Sequence, residues 1–171
     1  MACNQTLSGL VRDCQPSMGG IVEVLAANKE DVTAIAVTEG IVSTITMAAS
    51  AKFKKYLFPK NTGSMSSNYT IAMENGVRYV TTDLVLVFNR METAKRVEIT
   101  ALAQNDLVLV VKDANGKYWL LGKDEPVNAT AGDGLTGTAR GDRNGYSITL
   151  QDNSMEMPYE VDEKIVEGLV G

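Results

Sequence analysis

Histidine is missing from all 171 residues, and with it go Ser-His-Asp and Cys-His catalysis, the His-containing zinc sites and the two-His-one-carboxylate iron site. Cysteine is scarce. The two thiols, Cys3 and Cys14, make neither a disulfide framework nor a four-ligand metal site, so reduced thiols are expected. Long apolar runs are missing too: the longest, Leu84 to Phe88 and Leu107 to Val111, fall far short of the ~20 residues of a spanning helix. The first twenty residues carry Arg12 and Asp13 without a sustained apolar stretch, which argues against a secretory leader. There is no excess of positive charge. Sixteen Lys plus Arg against twenty-one Asp plus Glu leave a net charge of −5, which argues against dedicated nucleic-acid binding. No internal repeat recurs at solenoid periods.

What is present is a core. Hydrophobic residues make up 44% and charged residues 22%, and the length matches one domain at roughly 100 to 200 residues each. Residues 1–19 mix Gln, Ser, Gly and Pro16 without period and read as an N-terminal arm. Residues 20–171 read as a single β-sandwich domain. Short strands are predicted at Ile21 to Leu25, Thr33 to Val37, Ile41 to Met47 and Lys52 to Phe58, the last ended by Pro59.

The segment 67–88 carries the strongest local signal. Asn75-Gly76 between two extended runs predicts a hairpin with a two-residue type I′ turn. That turn would oppose Glu74 to Val77, Ile71 to Val80 and Asn68 to Asp83. One face then holds Tyr69, Ile71, Met73, Arg78, Val80 and Thr82, and the other Asn68, Thr70, Ala72, Glu74, Val77, Tyr79, Thr81 and Asp83. Leu84 to Phe88 is apolar at every position, which predicts burial from both sides while the hairpin tip projects.

Asn89-Arg-Met-Glu92 has the spacing of a capping box and predicts a helix over 89–104. Its apolar face, Ala94, Val97, Ala101 and Leu102, is expected to cover Val108, Val110, Trp119 and Leu121. Glu98 lies anomalously near that face and needs a partner, Lys95 or a neighbouring subunit. A second hairpin turns at Asp113 to Gly116, and the unbroken run Val108 to Val111 predicts a central strand. Asp124 to Asn144 is rich in Gly, Asp and Thr and reads as loops with at most a short strand near Val127 to Thr130. A strand at Tyr146 to Leu150 follows, and Asp162 starts a short closing helix. The fold class is mainly β: a β-sandwich or partial barrel with one flanking helix and a long projecting hairpin.

Motifs add little chemistry. Gly132-Asp-Gly134-Leu-Thr-Gly137 matches GxGxxG, but the dinucleotide motif needs a buried strand before it and a helix after it. Arg140-Gly-Asp142 is turn chemistry. The Asp124 to Asp142 acids lack the spacing of a calcium loop, leaving at most a weak carboxylate site. The sequons at Asn4, Asn68 and Asn128 have no secretory leader to give them meaning. Lys52, Lys54, Lys55 and Lys60 read as a solvated strand edge that resists aggregation. Glu74 and Asp83 are too far apart along the hairpin to act as an acid-base pair on one bond. Neither enzymatic activity nor a cofactor is expected.

The serial order carries more: short strands, a long hairpin, an apolar strand into a helix, then Leu-Val-Leu-Val-Val-Lys-Asp-Ala-Asn-Gly-Lys-Tyr-Trp-Leu-Leu-Gly and Gly-Asp-Arg-Asn-Gly-Tyr-Ser-Ile-Thr-Leu. Over most of 20–150 this resembles the tail tube proteins of tailed bacteriophages, as found in phages and prophages of gut bacteria. The resemblance implies a virion structural protein made in the host cytoplasm, whose rings of usually six subunits stack into a tube that passes DNA and meets other tail or neck proteins, with no membrane. It carries no catalytic residue. On this reading Asn68, Thr70, Glu74, Thr81 and Asp83 face the lumen, and Tyr69, Ile71, Met73 and Val80 form the subunit interface. Two alternatives stand beside it: a neck, head-completion or capsid-decorating protein, and a module binding carbohydrate or peptide through the Asp124 to Asn144 loops.

Overall fold

Alternating and continuous apolar runs fold here into eleven strands and two α-helices among the described residues, which in this computed structural model are 5–171. Cys3 and Asn4 lie outside them. In chain order these are β1 (Ile21–Asn28), β2 (Val32–Thr38), β3 (Ile41–Met47), β4 (Lys54–Leu57), β5 (Ser64–Ala72), β6 (Val77–Asn89), α1 (Thr93–Gln104), β7 (Leu107–Asp113), β8 (Tyr118–Leu121), β9 (Asn128–Leu135), β10 (Gly145–Ser154), β11 (Tyr159–Val161) and α2 (Glu163–Leu169). Seven strands in the order β2-β3-β11-β8-β7-β1-β4 form one sheet, and four in the order β5-β6-β10-β9 form the other. The result is a mainly β sandwich.

Strand β7 is central, as its unbroken apolar run demands. Leu107, Leu109 and Val111 face the second sheet and meet Leu84, Leu86, Ile148 and Leu150 there. Val108 and Val110 face away from it and pack with Val42, Phe53, Val166 and Leu169. The closing helix α2 covers that second cluster, and the Asp162 side chain caps it by accepting from the Lys164 N–H at 2.9 Å.

The expected helix over 89–104 is shorter at its start. Pairing of β6 with β10 continues to Asn89, opposite Gly145, and the Asn144 side chain accepts from the Met91 N–H at 2.8 Å. The strand therefore keeps Asn89, Arg90 turns with φ +63, and Glu92 occupies the N-cap position without a side-chain cap bond. The expected helix contacts also change. Only Leu102 of α1 is buried, with Ile99 packed against the same cluster, while Val97 is 52% exposed. Val108 and Val110 point to the opposite face of their sheet, and the Trp119 indole donates to Asp113 Oδ2 at 2.9 Å. The partner of Glu98 is Tyr56, whose hydroxyl donates to it at 2.8 Å.

The glycine-rich stretch is a loop over 136–144, as expected, but its strand is longer than expected. β9 pairs with β10 along its length, and the missing side chains serve packing: a Cβ on Gly134 would meet the Tyr146 ring at 3.0 Å. No helix follows it, so the GxGxxG match has no phosphate-binding geometry.

Candidate functional site: the outer face of the four-stranded sheet

The hairpin spans 64–89, longer than the expected 67–88, and its register differs by two. Ala72 pairs with Val77, Ile71 with Arg78, Tyr69 with Val80 and Asn68 with Thr81. Met73–Asn75 forms a single 3-10 turn and Gly76 closes it with φ +66, so four residues make the connection instead of two. Local turn energy prefers the Met73 carbonyl to accept from Gly76 N–H, at 3.2 Å. Because strand side chains alternate with period 2, a slip of two positions leaves both faces intact.

One face of β6 is buried from Val80 to Phe88 at alternate positions, under the first sheet. The other face is not buried as the sequence predicts: Val85 and Val87 are half-buried, and nothing else in the chain covers them fully. Reading the registers across the sheet, this outer face carries Ser66, Asn68, Thr70, Thr81, Asp83, Ser147, Thr149, Gln151 and Asn153, with Asp133 on β9. Arg78 is the one basic residue in these four strands, and it belongs to the opposite face.

The expected lumen-facing residues sort accordingly. Asn68, Thr70, Thr81 and Asp83 share the outer face, while Glu74 sits in the turn at the tip, apart from them. Hydrogen bonds lock the polar surface across strands. Thr81 Oγ1 donates to Asn153 Oδ1 at 3.1 Å, and Gln151 Nε2 donates to Asp83 Oδ1 at 3.0 Å. A hollow of about 540 Å³ opens beside them, rimmed by Asp124 and Glu125. At the β9 end Arg143 ties Asp133 down at 2.9 Å. The acids of 124–144 thus have structural duties: Asp124 accepts from the Met155 N–H, and Asp142 from the N–H groups of Thr138 and Ala139, which hold its carboxyl below its ordinary range.

Of the expected interface residues, Tyr69, Ile71 and Met73 are exposed at 50%, 61% and 87%. Val80 is fully buried within its own chain, because it starts the alternate positions of β6 that turn inward, and it contributes no surface. The sequence reading overlooked the β10 contribution, although Ser147, Thr149, Gln151 and Asn153 alternate visibly with Ile148 and Leu150. Both end strands of this sheet pair on one side only. No family model, curated protein or solved structure matches the chain.

Proposed function

We propose that the chain is a structural subunit that closes edge to edge into rings, and that the rings stack into a conduit for DNA in the manner of a phage tail tube. The observation that carries this reading is the four-stranded sheet. Its end strands, β5 and β9, are nine and eight residues long, and neither contains Lys, Arg or Pro. Those are the residues that usually protect a sheet edge from pairing with another chain. Joining β5 of one chain to β9 of the next removes both open edges.

Ring closure also fixes what the lumen is made of. Barrels of about eight strands are filled by their own side chains, whereas about 16 to 18 leave an aqueous channel, so a channel needs at least about four chains. Six, the number the resemblance implies, give about 24 strands. The outer face lining such a channel offers mainly hydroxyls, amides and carboxylates, and the one cation beside it, Arg143, is neutralised by Asp133. A wall that passes DNA must avoid Lys and Arg, because each phosphate neutralised releases counterions and holds the duplex. Exposed Tyr69, Ile71 and Met73, on the hairpin's other face, supply apolar surface for a neighbour.

Negative-stain microscopy of the purified chain tests the reading, with rings or tubes expected and a monodisperse monomer overturning it. A second arm tests the lumen. Tubes carrying Asn68→Lys and Asp83→Lys should retain fluorescent duplex DNA at low salt and release it as salt rises. Equal retention by wild-type tubes removes the conduit from the proposal.

A further inference from the structure

We infer that the N-terminal arm of one chain docks along the open edge of β4 in a second copy, with Leu10 over Leu57, Val11 beside Tyr56 and Asp13 against Lys54. The inference needs a second copy but not the DNA conduit. It starts from the arm. Ser17 and Met18 are held by Asn115, whose side chain donates to Ser17 Oγ and accepts from the Met18 N–H. Beyond them Leu7, Leu10 and Val11 are 95%, 102% and 96% exposed, so they touch nothing of their own chain. An extended arm of twelve residues reaches at most ~40 Å.

The receiving groove has matching chemistry. It holds about 570 Å³ between β4 and α1, and all four β4 residues line it together with Phe88, Ala94, Ile99 and Leu102 and the charged Lys95 and Glu98 of α1. A smaller hollow of about 190 Å³ shares Lys54, Tyr56 and Leu102 and extends it toward Leu107. Strand β4 pairs only with β1, and the Phe53 edge just before it is taken by Val170, which leaves Lys54 to Leu57 open. A groove bounded by every residue of a short strand follows the backbone edge, the geometry that accepts an added strand.

Charge decides which segment fits. Lys54 and Lys55 guard this edge against an apolar strand, and Lys55 is already paired with Glu23 at 3.5 Å. Lys54 has no ion pair among the described residues, so the incoming strand must bring an acid opposite it. Run antiparallel, the arm does so: Asp13 meets Lys54, Arg12 lies beside the Lys55 and Glu23 pair, and Leu10 covers Leu57, itself 64% exposed. An extended twelve-residue segment exposes roughly 1,900 Å². The four residues laid against β4 carry about a third of that, so the contact alone is below the roughly 1,000 Å² of a free-standing interface and charge complementarity carries the assignment.

The test is a charge-reversal cycle on the full chain, read by sedimentation equilibrium at low salt. Asp13→Lys and Lys54→Asp should each weaken self-association at least about tenfold, Leu10→Asp likewise, and the two reversals in one chain should restore most of it. A synthetic peptide of residues 5–16 should bind the Leu10→Asp chain saturably and lose that binding with Lys54→Asp. Single reversals without effect, a double variant no better than the singles, or a wild-type chain still monomeric at ~1 mM overturns the inference. Rings that form normally in Asp13→Lys would overturn it while leaving the ring proposal standing.

Discussion

Replacing Asp152 by Asn should stabilise this protein at neutral pH and leave its stability unchanged in acid. Asp152 lies on the inner face of β10 opposite Thr82 and is 3% exposed. One carboxylate oxygen has no hydrogen-bond partner, and the group accepts from the Gly122 N–H. Burial pushes its carboxyl up from 3.8 to about 6, with Asp124 and Glu125 adding to the rise and Lys29 opposing it. Lys29 faces this cluster with its ammonium donating to the carbonyls of Gly122 and Lys123, at 2.5 and 3.2 Å. Between about pH 4 and 6 the folded chain therefore holds a proton that the unfolded chain has lost, so stability falls as pH rises through that window. At 1.36 kcal/mol per pH unit the full effect is about 3 kcal/mol, and screening reduces it to about 1 to 3. Asn keeps an acceptor for Gly122 and carries no charge. Thermal unfolding followed by circular dichroism should show the variant melting about 2 to 10 °C higher at pH 8, with the gap closing by about pH 4. A variant less stable at pH 8 would mean that the attraction to Lys29 exceeds the cost of burial. A gap independent of pH would mean that Asp152 does not titrate in this range.

Other substitutions probe the fold directly. Gly145→Ala places a Cβ 2.0 Å from the Phe88 carbonyl oxygen, so it should break the start of the β6–β10 ladder and lower the melting temperature by about 10 °C or more. Val97→Asp should change stability by no more than about 0.5 kcal/mol because Val97 is half in solvent, whereas Leu102→Ala on the same helix should cost about 2 to 5 kcal/mol in urea unfolding. Equal effects from the two would show that α1 docks by another face.

The sandwich was legible because period-2 alternation and the unbroken β7 run are long signals, and the Asp162 cap of α2 is a local one. Boundaries and partners were less so. Asn89 to Glu92 reads as a helix start in isolation, but ladder bonds to Gly145 and the Asn144 side chain outbid a cap worth about 1 kcal/mol. Val97 reads as core from the wheel, yet α1 lies over the ends of β9 and β10 and turns only Leu102 and Ile99 inward. Only the start of β9 was legible, near Val127 to Thr130, because the rest are poor strand formers; Gly132 and Gly134 stay in the sheet through backbone pairing with β10 and room for Tyr146. The polar face was half legible: the hairpin showed its own alternation, but no local pattern reveals that β10 lies beside it.

The two-residue slip at the hairpin tip has an implication for how this segment can change over generations. A connection of four residues in place of two took Met73 and Glu74 from the first arm, left Val77 at the start of the second and reassigned no side chain. Length can therefore drift there only in steps of two residues, because an even shift keeps every side chain on its face. A single unmatched insertion would turn Tyr69 and Ile71 to the side now held by Asn68 and Thr70. Related chains should differ at the tip by even numbers of residues, or compensate an odd one with a bulge such as the one β9 already carries opposite Thr149 and Leu150.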